Sequence, residues 1–244
     1  TGKIFINGLV THNNGNLGFS VRSAGSLVVG RLESYDNYCR SGASRSGFGY
    51  TGGTPLSCDV LFGDGSSGTL NNFTADFISS RNSAAGGILV DGQTMSYVIG
   101  RVEAEYAETY GFADFSTGPG HGVVNGGIMR GNNQGATAAS AGAAAFQCLR
   151  SGSLKVNGVI FEDDQGSPTQ NSGMYIASAC QAFVDNCHFG TGLTAGSEVY
   201  SATAGTVIKF GDGNTGSLVT RVRGNASEAG GAGTVTVTYP ISFA

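Results

Sequence analysis

Tryptophan is absent, proline occurs only 4 times in 244 residues, and charged side chains make up 12 % of the chain, about half the ~25 % usual in globular proteins. Low charge excludes a disordered polyelectrolyte, which needs much charge and few aromatic residues, whereas 14 Phe and 9 Tyr are present. Scarce proline excludes collagen. Basic residues number 13 against 17 acidic, for a net charge of −4, the wrong balance for nucleic acid, which selects a clustered basic face. No apolar run approaches the ~20 residues of a membrane-spanning helix. Neither nucleic acid nor membrane insertion is therefore expected. The five cysteines Cys39, Cys58, Cys148, Cys180 and Cys187 are odd in number and form no CxxC, which favours neither a disulfide framework nor zinc. Pairing of Cys39 with Cys58 within one insertion stays open. Free thiols made in a reducing compartment are the simpler expectation. His12, His121 and His188 lack metal-ligand spacing, so no metal and no cofactor is expected.

Glycine is what the chain has in excess: 42 residues, against an average usage of roughly 7 %. That much Gly rules out long helices and leaves an ordered, turn-rich β protein of one domain. A short pattern recurs: an apolar residue, two turn formers, then another apolar residue. It is seen at Ile6-Asn7-Gly8-Leu9, Val29-Gly30-Arg31-Leu32, Leu70-Asn71-Asn72-Phe73 and Ile99-Gly100-Arg101-Val102. It continues at Val124-Asn125-Gly126-Gly127, where Gly127 breaks the rule, and at Val156-Asn157-Gly158-Val159, Val184-Asp185-Asn186-Cys187 and Val219-Thr220-Arg221-Val222. A short alternating strand precedes most of these anchors, as Phe19-Ser20-Val21, Val60-Leu61-Phe62, Ile88-Leu89-Val90, Ala113-Asp114-Phe115, Phe146-Gln147-Cys148, Met174-Tyr175-Ile176 and Ile208-Lys209-Phe210. Alternation over so few residues signals strands with one buried face. Short strands in a repeat near 23–25 residues with insertions predict a coil stacked at the ~4.8 Å spacing of paired strands. The side chains Asn7, Asn71, Asn125, Asn157 and Asp185 are expected to stack at one corner.

These anchors, the Asn column and the stretch Asn82…Gly86-Gly87-Ile88-Leu89-Val90 resemble the right-handed parallel β-helix of the pectate-lyase-like superfamily. Within it the chain looks most like the shaft of a bacteriophage tailspike or tail-fibre receptor-binding domain. The resemblance implies an all-β right-handed parallel β-helix of about eight coils over residues 1–225. A C-terminal β-segment over 226–244 is expected to trimerise or cap it, since Thr234–Phe243 alternates. It also implies a homotrimer on a virion tail, assembled in the bacterial cytoplasm, that binds and in some cases cleaves a bacterial surface polysaccharide. The start at Thr1-Gly2-Lys3, running straight into Ile4-Phe5-Ile6, reads as a piece of a longer chain. Alternatives on the same fold are a non-catalytic shaft or adhesin and a secreted monomeric polysaccharide lyase or hydrolase. The calcium-binding Asp clusters and catalytic Arg of pectate lyases have no counterpart, Arg22 included.

A glycosidase needs two carboxyl groups about 5–9.5 Å apart. Counting six residues past each anchor gives an outward column His12, Tyr35, Asp76, Glu105, Arg130 and Glu162, with Glu103 beside Glu105. Glu103 or Glu105 is the candidate acid and Asp76 or Glu162 the candidate base. A solvated ion-pair ladder through Arg130 is the competing reading. Asp91 and Asp114 form a second candidate pair, on an outward face continued by Gln147, Tyr175 and Lys209. Tyr106, Tyr110, Tyr175 and Gln147 are candidate sugar contacts, joined by Arg40 and Tyr50 from the insertion at 38–55. Insertions also run over 133–143 and 190–205.

Overall fold

The computed structural model describes residues 2–14, 17–37, 58–65, 70–92, 95–133, 144–176, 180–193, 198–201 and 206–216. Arg40, Tyr50, Cys39, the Val219 anchor and the 226–244 segment lie outside the described residues, as do the 38–55 insertion and most of the 133–143 insertion. Strands, and no helix, make up the regular structure of the described residues. In chain order they are β1 (Lys3–His12), β2 (Phe19–Val21), β3 (Ser26–Tyr35), β4 (Cys58–Gly65), β5 (Asn72–Arg81), β6 (Gly86–Gly92) and β7 (Ser96–Glu105). Next come β8 (Phe112–Asp114), β9 (His121–Val124), β10 (Gly127–Arg130), β11 (Ala144–Cys148), β12 (Ser153–Asn157) and β13 (Val159–Glu162). The last are β14 (Ser172–Ile176), β15 (Gln181–Asp185), β16 (His188–Phe189), β17 (Val199–Ser201), β18 (Val207–Phe210) and β19 (Thr215–Gly216).

All pairings are parallel. They form a 12-stranded sheet and a 7-stranded sheet, the latter in the order β17-β14-β11-β8-β6-β4-β2. The larger sheet bends along its middle. Along β7, Tyr97 and Ile99 point inward, Gly100 and Arg101 are both exposed, and Val102 and Ala104 point inward again. Strict alternation would have put Arg101 inside, so the chain turns a corner there. In later passes the corner opens fully and one strand becomes two, β9 with β10, then β12 with β13. The molecule therefore has three outward faces. The first is built on the leading halves of β1, β3, β5 and β7 with β9, β12, β15 and β18. The second is built on their trailing halves with β10, β13, β16 and β19. The third is the 7-stranded sheet. Because the chain visits the faces in turn and each strand pairs with its equivalent one pass later, the topology is compatible with a β-helix.

The anchors stack in one file: Ile6, Val29, Ala75, Ile99, Val124, Val156, Val184 and Phe210. One expected anchor is displaced. Ala75, not Leu70, takes the third place, and Phe210 continues the file after Val184. The corner after the anchors accordingly holds Asn7, Asp76, Asn125, Asn157 and Asp185, with Asn71 outside it. Gly127, the exception to the repeat, pairs with Val102 and Val159. Its φ is +124°, and a Cβ there would run into the Val102 carbonyl, so no other residue fits.

Inside, aromatic rings form a ladder. Phe62 stacks on Phe73 at 4.3 Å, Phe73 on Tyr97 at 5.2 Å, and Phe112 on Phe146 at 4.9 Å. Leu27, Leu32, Ile78 and Val102 complete a continuous apolar core. The corner between the second and third faces is fastened by buried polar groups. Asp59 accepts from Ser34 Oγ (2.9 Å), Asn37 Nδ2 (2.9 Å), Ser80 Oγ (2.9 Å) and the Gly18 N–H (3.1 Å). Four donors offset the cost of burying this carboxylate, although burial still raises its pKa.

Candidate functional site

The second face carries the expected acidic column in an altered composition. Register places His12, Tyr35, Arg81, Glu105, Arg130 and Glu162 in one file. Asp76 is not in it. It sits at the bend, between the pairs Ala75–Ile99 and Phe77–Arg101, because the third anchor is Ala75. Arg81 takes its place. The file thus alternates Arg81, Glu105, Arg130, Glu162 in sign rather than stacking like charges. Arg130 Nη2 lies 3.1 Å from Glu105, and its Nη1 lies 3.7 Å from Glu162 and 3.3 Å from Asp164. Glu103 is clamped between Arg81 and Arg101, the latter at 2.8 Å. Each candidate acid on this face is bridged to a guanidinium. Tyr106 turns the following corner at φ 55° and donates from Oη to Asp164 at 3.1 Å. Burial, then this bond, raises its phenol pKa.

The third face separates the second candidate pair. Strand β8 runs Phe112–Asp114, one residue earlier than the alternation at 113–115 predicts, and a slip of one residue reverses every side chain. Asp114 therefore aligns with Val90 and Cys148 and points into the core, fully buried. Asp91 pairs with Gly63 beside a register shift and stays half-buried on the outside. The outward file is Leu61, Leu89, Ala113, Gln147, Tyr175 and Tyr200. Its first half is covered by Tyr110 and Phe115, which pack on Leu61 and Leu89. Tyr110 is thus a lid over the sheet and presents no ring to a sugar. Gln147 and Tyr175 remain at the surface, Tyr175 stacked on Tyr200 at 5.6 Å. Lys209 belongs elsewhere: β18 pairs with β15 on the first face.

On the first face a groove of about 450 Å³ crosses β9, β12, β15 and β18. Two outward files line it. One holds His121, Ser153, Gln181 and Val207, the other Val123, Lys155, Phe183 and Lys209. His121 Nδ1 lies 2.6 Å from Ser153 Oγ. Lys155 Nζ stands 5.9 Å from the centre of the Phe183 ring, and that ring is 37 % exposed. The groove floor rests on a buried ionic group. Arg150, with no exposed surface, pairs through Nε with Asp114 at 2.8 Å and donates to Ser153 O (3.0 Å) and Met95 O (2.7 Å). Tyr97 Oη donates to Asp114 at 2.8 Å. Burial pushes the Asp114 carboxyl up while Arg150 pulls it down. A Cβ on Gly122, in the groove floor, would lie 2.6 Å from Tyr97 Oη. The ionic group thus packs directly beneath the strands of the groove.

Sequence reasoning missed this site. The residues one and three places before the anchors were legible once the anchors were known, and on the last passes they read Lys155, Phe183, Lys209 and Ser153, Gln181, Val207. Comparison of the chain with models of protein families, with curated proteins and with solved structures finds no match in any of the three.

Proposed function

We propose that the chain is an eight-coil right-handed parallel β-helix of the tailspike type, and that it binds a bacterial surface polysaccharide along its first face. Parallel crossovers are right-handed in about 98 % of cases, which supports the handedness. The observation that carries the functional reading is the groove over β9, β12, β15 and β18. It offers an exposed aromatic ring, an amide, a hydroxyl and an imidazole side by side. A sugar presents an apolar C–H face and a rim of hydroxyls, and these groups suit both. Repetition of the same files along the stack fits a ligand that is itself a linear repeat. Cleavage at Glu103, Glu105 and Glu162 is disfavoured, because their Arg partners hold them in salt bridges. On this reading the working form is a homotrimer on a virion tail, which sedimentation and detergent resistance test.

Incubation with purified capsular polysaccharides and lipopolysaccharides, read by both binding and reducing-end release, tests the function. Binding without release is the expected result. Release abolished by Glu105→Gln would restore the catalytic column, and no binding by any glycan would remove the reading.

A further inference from the structure

We infer that the polysaccharide taken by the first face is acidic, its anionic groups held by Lys155 and Lys209 on either side of the Phe183 ring. This rests on the groove being a glycan site. The chain has only three lysines, Lys3, Lys155 and Lys209, and all three fall in the two outward files of the first face. Lys3 stands at the start of the file that continues through Ser26, Asn72 and Ser96 to His121. Lys155 and Lys209 stand in the file that begins at Phe5 and continues through Val28, Thr74 and Val98. Among the described residues neither file holds an Asp or Glu, in a protein whose acidic residues outnumber its basic ones.

Pairing separates these lysines from five of the described arginines. Arg31, Arg81, Arg101 and Arg130 are bridged to carboxylates on the second face, and Arg150 is bridged in the core. Lys155 and Lys209 make no ion pair with any described residue. The bridged arginines named lie on the second face and in the core, and the lysines of the groove on the first face. Lys155 and Lys209 are two strands apart in their file, ~9.6 Å at the spacing of paired strands, with Phe183 between them. A strand of sugars along the stack would lay a ring on Phe183 and bring an acidic substituent to each ammonium. Nucleic acid fits less well. Its affinity comes from neutralising many phosphates, and two ammonium groups on a protein of charge −4 supply few.

The test titrates the full chain with polygalacturonate, alginate, sulfated dextran and neutral dextran, and with single-stranded DNA. Lys155→Gln, Lys209→Gln and the double variant are compared with Lys3→Gln, which lies beyond the groove. All three lysines are surface residues, so circular dichroism should match that of the parent chain. The inference expects at least one acidic polymer to bind, weakening as salt rises. It expects the double variant to lose about tenfold in affinity for that polymer, and Lys3→Gln to lose little. Carboxylated and sulfated polymers distinguish the two sources of charge. Neutral dextran bound as tightly as the acidic polymers, with the double variant unaffected, would overturn the acidic ligand and leave the glycan reading standing. No glycan bound at all, or DNA bound more tightly than any glycan, would overturn both.

Discussion

Replacing Arg150 by Met removes the guanidinium beneath the groove and leaves Asp114 inside the core. The carboxylate would then keep Tyr97 Oη at 2.8 Å and the Ser116 N–H at 3.1 Å but lose its counter-charge at 2.8 Å. The Met95 carbonyl would lose a donor at 2.7 Å and that of Ser153 one at 3.0 Å. Both members of the pair are fully buried, so the loss is not softened by solvent. Removing one partner of such a pair costs about 3–5 kcal/mol, and the vacated Met95 carbonyl pushes the value to the upper end. Adding Asp114→Val should recover much of it. Val90 already occupies the same inward file one strand away, so the shape is accepted and the stranded charge is gone. The double variant then retains only the unpaired carbonyls and phenol, about 1–3 kcal/mol. Urea unfolding followed by circular dichroism measures all three variants, and the double-mutant cycle isolates the coupling. Arg150→Met within about 1 kcal/mol of the parent chain, or a double variant as unstable as the sum of the singles, would refute the buried pair.

Three further outcomes follow from other contacts. Phe73→Ala, which opens the ring ladder between Phe62 and Tyr97, should cost about 3–5 kcal/mol in urea unfolding. Glu105→Gln should cost about 1–3 kcal/mol through its bonds to Arg130 and Arg81, with glycan affinity by titration calorimetry unchanged, since it lies on a different face from the groove. Asp59, whose pKa burial raises, binds its proton more tightly folded than unfolded. Its contribution to stability therefore falls as pH rises from the ordinary Asp value of about 3.9 through the raised one. Urea midpoints across that range should show the decline, and Asp59→Asn should flatten it.

The parallel winding was legible because the anchors at Ile6, Val29, Ile99, Val124, Val156 and Val184 keep an apolar residue at each bend. Two errors came from the same source: registers in short strands rest on single residues. Leu70 is a better apolar residue than Ala75, and an anchor at Leu70 puts Asp76 into a file that belongs to Arg81. Reading β8 one place late turned Asp114 from core to surface. Ile208-Lys209-Phe210 alternates like the strands of the third face yet lies on the first, because alternation says which side is buried but not which sheet. Arg150 left no signal at all. Its burial depends on Asp114 and on two backbone carbonyls brought together only by the stacking.

Hydrogen exchange with and without a bound acidic polysaccharide tests the assignment of the ligand face most directly. Protection should rise in β9, β12, β15 and β18, around His121, Lys155, Phe183 and Lys209, and stay unchanged elsewhere. Protection confined to Tyr175 and Tyr200 on the third face, or to Glu103 and Glu105 on the second, would contradict it.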